Sequence, residues 1–236
     1  SLQYTYLHRV LDSLEEEGLY FLHPEELDVK TKTWLRHYFE EQIYPVVTPL
    51  AVDSGHPFPF LANHTINTIV RIFQVQSDGT KDYKIAILPI PSVLDRIIEV
   101  PTPSNKTHHF VYLEDVINFY AIQFFQGYGI EESMTFRLTR DADLEIAEED
   151  TKDLLTEVEA SLRRRRRGDA VRLEVAGEGS PELLSTVLKS VELEKKDVYH
   201  IDGHLDCRMY FDFSNYPGYD YLRYKPFESK TPSDLI

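Results

Sequence analysis

The sequence predicts an α+β protein: a short helical segment, then a mixed sheet with helices packed mainly on one side. Three observations carry this expectation. Apolar residues recur at helical spacing over residues 2–18. Four later stretches (65–74, 83–90, 132–139 and 170–175) alternate in polarity or are rich in β-branched residues, as strands are. Helix-start and helix-stop signals fall between them.

In the first helix Leu2, Tyr6, Val10, Leu11 and Leu14 share a face, and Gly18 supplies the stop. A second helix is expected to begin near Pro24, a first-turn proline followed by acidic residues that suit the positive end of the helix dipole. Val29, Trp34, Tyr38 and Ile43 continue its apolar face. Two helices this short bury little surface alone. Residues 1–44 are therefore expected to close a larger helical domain, and residues 45–236 to form the α+β domain with a C-terminal linker.

Residues 48–60 change character. Pro49, Pro57 and Pro59 fix φ and discourage helix before them, so the path is rigid and extended. Phe58 and Phe60 must pack somewhere, which a flexible linker would not need. Residues 65–74 and 83–90 then read as two strands. Ser77-Asp78-Gly79-Thr80 turns between them, which makes a hairpin. Pro91 and Ser92 are expected to open a short helix through residue 98, and residues 101–107 form a polar loop. Residues 108–113 read as a strand and 114–126 as an apolar helix stopped by Gly127.

After the strand at 132–139, a helix is expected over 148–167, ending at Gly168, and then a strand at 170–175. Ser180 caps a further helix whose first turn holds Pro181. Residues 197–201 form a short extended piece. The tail beyond Tyr210 is rich in Tyr, Pro and Asp and has the look of a linker that packs on another domain.

Composition narrows the function classes. A hydrophobic content of 42% over 236 residues supports a real core. The formal net charge of −15 disfavours nucleic acid and anionic membranes as general partners. Cys207 is the single cysteine, so no internal disulfide forms, which suits the cytoplasm. No run has the length of a transmembrane segment. Asn63-His64-Thr65 and Asn105-Lys106-Thr107 match a glycosylation acceptor by chance.

Two constellations stand out. Arg163 to Arg167 matches phosphate contact, but as the end of a helix that begins with Glu148-Glu149-Asp150 it also matches the dipole, which is the favoured reading. Arg137, Arg140, Asp141 and Asp143 cluster at a strand end. Arg137 and Thr139 share one face, and Arg140 falls on the other. Anion binding and an internal ion-pair network both fit these residues. The nine histidines show no metal spacing, there is no glycine-rich phosphate loop, and no nucleophile–base arrangement follows from spacing. The residues alone identify no catalytic group and no metal ligand.

The Pro-rich stretch from Pro45 through His56-Pro57-Phe58-Pro59-Phe60 to Asn63 and Asn67 resembles a signature of the first family of bacterial polyphosphate kinases. Leu113-Glu114-Asp115-Val116-Ile117, Phe136 to Asp143, Arg163 to Glu174, and Asp197-Val198-Tyr199 with Ile201-Asp202-Gly203 and Leu205-Asp206 resemble further family motifs in the same order. Residues 24–38 are similar to the helix closing the family's N-terminal domain.

The resemblance implies a reaction for the parent protein: reversible transfer of the terminal phosphate of ATP to polyphosphate through a phosphohistidine, with Mg2+. It places that histidine in a C-terminal half beyond this sequence and makes this chain a middle domain. Such a domain is expected to act in dimerisation or higher self-association, to line the polyphosphate path, and to be inactive alone. Arg137, Arg140, Asp141 and Asp143 are the path residues expected on this basis. The location implied is the cytoplasm, including the inner membrane face as a peripheral site. A stand-alone dimerisation or polyanion-binding module, and an autonomous phosphotransfer domain, are the rival readings.

Overall fold

The computed structural model describes residues 2–53, 55–104, 106–141 and 168–225. The chain divides into two units, Ser1–Leu205 and Asp206–Ile236, and each is described by itself.

In the first unit, helix α1 (Leu2–Glu16) stops where expected. Gly18 takes φ +85, and a Cβ there would sit 2.9 Å from the Lys106 carbonyl oxygen, so both backbone and space call for glycine. Strand β1 (Leu19–Phe21) follows, then a 3-10 turn at Pro24–Glu26. Helix α2 (Val29–Tyr38) begins later than Pro24, because Asp28 accepts from the backbone N–H of Lys30 and Thr31 and caps it. It runs on through a π-helical turn, Phe39–Ile43. Leu35, Phe39 and Ile43 are fully buried, whereas Val29 is 83% exposed, so the apolar face is rotated from the expected one.

The Pro-rich stretch contributes β2 (Leu50–Val52), and the expected hairpin is β3 (Ile66–Val75) with β4 (Lys81–Pro89). Residues 91–98 do not form a helix. Ile97 and Ile98 belong to β5 (Ile97–Val100), paired antiparallel with β6 (His108–Tyr112), where β-branched side chains pack better than on a helix. Helix α3 (Leu113–Phe119) ends before Gly127, and a 3-10 turn, Ala121–Phe124, takes over. There Tyr120 and Phe125 turn into the core. Strands β7 (Gly129–Arg140) and β8 (Ala170–Ala176), helix α4 (Pro181–Val191) and strand β9 (Val198–Ile201) complete the unit. The helix expected over 148–167 lies outside the described residues.

Six strands form one mixed sheet in the order β2-β4-β3-β7-β8-β9, antiparallel except for the parallel pair β8–β9. A second sheet, β1-β6-β5, has three strands. The pleat sends Ile66, Val70 and Ile72 of β3 to one face and Ile69 to the other. On the first face they pack with Leu35, Phe39, Val111, Val116 and Ile117. On the second, Met134, Phe136, Leu138, Leu173 and Val175 meet Leu183 and Val187 of α4. The expected gathering of helices on one side therefore holds for α2 and α3. Helix α4 covers the opposite face, because the central strands are apolar on both.

Two threonine hydroxyls near the sheet centre are matched. Thr68 and Thr135 share a hydroxyl hydrogen bond of 2.9 Å, and Asn118 Nδ2 donates to Thr135 Oγ1 at 3.1 Å.

In the second unit Arg208 donates to both carboxylate oxygens of Asp206, beside the short helix α5 (Met209–Phe213). The Phe213, Tyr216, Tyr219 and Tyr221 rings follow one another at centroid spacings of 5.7, 5.8 and 6.0 Å. Tyr224 is fully exposed.

Candidate functional site

The candidate residues lie at the end of β7. Its register with β8 sets Arg137 opposite Glu174 and Thr139 opposite Arg172. The pairing shifts between Thr139 and Arg140. The pleat then gives the two arginines different surroundings.

Arg137 Nη1 donates to Glu174 Oε2 at 3.1 Å, with both side chains about 15% exposed. Its Nη2 donates to His64 Nδ1 at 3.2 Å. Arg172 joins from β8: its Nη2 reaches Glu174 Oε1 at 2.8 Å, and its guanidinium lies 4.0 Å from the centre of the Tyr199 ring on β9. Arg137, Glu174 and Tyr199 thus form a cross-strand row over β7, β8 and β9.

Arg140 turns toward the Pro-rich stretch. Its Nε donates to the Leu61 carbonyl at 2.8 Å and its Nη1 to the Gly168 carbonyl at 2.9 Å. Its guanidinium sits 4.4 Å from the centre of the Phe60 ring. Its backbone N–H donates to Asn63 Oδ1 at 2.9 Å. Burial pushes this guanidinium down from its ordinary value, and the Asp169 charge works against that shift. The Asp141 N–H donates to the Asp169 carbonyl at 2.8 Å and continues the ladder. Asp143 and the run Arg163 to Arg167 lie outside the described residues.

Both arginines are therefore tied to one segment, Phe60 to His64. His64 has φ 62, a left-handed backbone that a non-glycine residue adopts only when its surroundings hold it. Its N–H donates to the Leu138 carbonyl at 2.9 Å, and its ring accepts from Arg137. Sequence reasoning did not single out Asn63, His64, Arg172 or Glu174 as site residues. Asn63 and His64 directly follow the rigid prolines, and that adjacency was the available signal.

Local charge is balanced: Arg137, Arg140 and Arg172 stand near Glu174, Asp141 and Asp169. Most of the guanidinium donors meet protein acceptors, although Arg137 Nε and Arg172 Nε are buried without one, and the arrangement suits holding a loop in place. Among the described residues no group of three or more His, Cys, Asp and Glu is arranged to hold a metal ion. Among the described residues no helix is long and apolar enough to cross a membrane.

A mixed-sheet α+β domain with this Pro-rich brace is of the class found within polyphosphate kinases, and residues 30–213 match the family model described as the polyphosphate kinase middle domain. The chain belongs to the polyphosphate kinase family. Polyphosphate kinase of Halalkalibacterium halodurans is 38% identical over 235 residues, covering 98% of this chain and 33% of that protein. The Bacillus cereus polyphosphate kinase is 38% identical over 240 residues, covering 100% of this chain and 34% of the relative. The chain spans about a third of the length of these relatives. The crystal structure of polyphosphate kinase from Porphyromonas gingivalis superposes with a TM-score of 0.66 at 22% identity, over 85% of this chain and 28% of that one, a likeness of fold.

Proposed function

We infer that this middle domain serves a parent enzyme that transfers the terminal phosphate of ATP reversibly to polyphosphate, through a phosphohistidine carried outside these residues. The observation that carries the reading is the match of residues 30–213 to the middle domain, with 38% identity to a polyphosphate kinase across nearly the whole chain. In-line phosphoryl transfer depends on positioning and charge neutralisation. The contribution of this domain is positioning: it supports self-association, as a dimer or larger, and one wall of the polyphosphate path. In this reading residues 1–44 close the preceding helical domain, and the enzyme works in the cytoplasm.

Arg137 and Arg140 shape the path by fixing residues 60–64, and Asp141 and Asp143, which follow them in sequence, are further path residues in this reading. The supporting geometry is the pair of anchors on that segment, His64 on Arg137 and Leu61 on Arg140. The test is charge removal in the intact enzyme, Arg137→Gln and Arg140→Gln, with polyphosphate affinity measured over a range of salt. The expected result is weaker binding. Unchanged affinity across the salt range would refute the assignment.

A further inference from the structure

Away from β7, one carboxylate gathers side chains from three distant parts of the chain. Asp115 lies in the first turn of α3. Its Oδ2 accepts from His204 Nε2 at 2.8 Å, and the same oxygen lies 3.3 Å from His23 Nδ1. His23 caps the 3-10 turn after β1, and His204 lies in the loop after β9. The Tyr112 ring stacks on His204 with centroids 3.7 Å apart, and the His23 ring lies 6.2 Å from that of His204. Next door, Glu114 is paired with Arg96, whose Nη2 also donates to the Leu205 carbonyl at 2.8 Å. His23 and His204 form part of the wall of a cleft of about 550 Å³.

The two histidines are unequal. The His23 side chain is 63% exposed, while those of His204 and Asp115 are 19% and 18% exposed. A neutral imidazole offers one N–H, and a charged one makes a shorter and stronger bond to carboxylate.

We propose that Asp115 is a proton-controlled clasp: His204 is its standing arm, and His23 is a second arm that fastens when protonated and releases one wall of the cleft when it is not. The charges facing His23 agree with this. The hydrogen bond to Asp115 raises its pKa from 6.5, burial opposes that, and the Asp115, Glu26 and Glu25 charges add to the rise. For Asp115, burial favours the neutral form, but the hydrogen bonds from His204 and His23 overcome it and hold the group at about 2. Glu114 is already engaged by Arg96.

The sign follows from linkage. The His23 contribution is complete below 6.5 and is lost as pH rises through its higher folded value. The Asp115 contribution is present above 3.8 and is lost as pH falls toward about 2. Between these limits the Asp115–His23 contact is closed, and it opens on the alkaline side. At the loop after β9, His8 Nε2 donates to the Asp202 carbonyl at 2.9 Å, a second histidine contact in the same region.

The experiment is an NMR titration of the imidazole signals of the chain. It is paired with hydrogen exchange of residues 23–27 at pH 6 and pH 8.5, corrected for intrinsic exchange. We expect a His23 midpoint above 6.5 and at least about twofold less protection at the higher pH. Asp115→Asn should abolish both. His23→Gln keeps the His204 arm, so it decides the matter if Asp115→Asn does not fold, and it should remove the pH step in protection. A His23 midpoint at or below 6.5, or a step that persists in His23→Gln, overturns the proposal.

Discussion

Arg140 holds Phe60 by two means at once: its guanidinium lies 4.4 Å from the ring centre, and its Nε bonds the carbonyl of the next residue, Leu61, at 2.8 Å. The end of the Pro-rich stretch is thereby fixed to the end of β7. Arg140→Met should cost about 1–3 kcal/mol, since two carbonyls lose a charged donor. Arg140→Lys should recover only part, because a single ammonium cannot reproduce the planar fork and the ring stacking. Urea unfolding of the chain and both variants checks this.

Glu114 is 3% exposed and paired with Arg96, so removing either partner alone strands a buried charge. Glu114→Ala should destabilise by about 3 kcal/mol, and adding Arg96→Met should restore much of that loss. A double-mutant cycle measures it, and additive losses would contradict a coupled pair.

Acid should act through Asp115. Its folded value of about 2 lies below the ordinary 3.8, so its contribution is present above 3.8 and fades as pH falls toward 2. The amount is about 2 kcal/mol. Stability measured from pH 5 to pH 2 should fall less steeply in Asp115→Asn than in the unmodified chain.

Ser180 accepts from the Leu183 N–H at 3.2 Å and donates to Glu132 Oε2 at 2.5 Å, joining the start of α4 to β7. Ser180→Ala should cost about 1 kcal/mol. Ser180→Asp keeps a capping oxygen but sets a second carboxylate against Glu132, so it should not rescue. Thermal unfolding of the two variants distinguishes capping from this contact.

Much of the fold was legible because β3, β4, β7 and β8 are long enough to show their period, and the turn between β3 and β4 carries Gly79. Strands β1 and β5, of three and four residues, are too short for any period. Leu19 to Phe21 form a strand only because His108 to Phe110 run parallel beside them. The Pro91-Ser92 signal for a helix gave way to pairing of Ile97 and Ile98 with β6. At the site, parity along β7 correctly separated Arg137 from Arg140. Their partners were hidden because Glu174 is set by register, and residues 60–64 by a fold-back across the sheet end. The Asp115 cluster was likewise illegible, since Asp115 and His204 are 89 residues apart.

The proposed role of this domain is to position the polyphosphate reaction without performing its chemistry. Incubating the chain with Mg2+ and ATP labelled at the terminal phosphate tests it most directly. The account predicts no acid-labile phosphate on the chain, while a full-length polyphosphate kinase treated in parallel is labelled. Stable, acid-labile labelling of any histidine in this chain would contradict it.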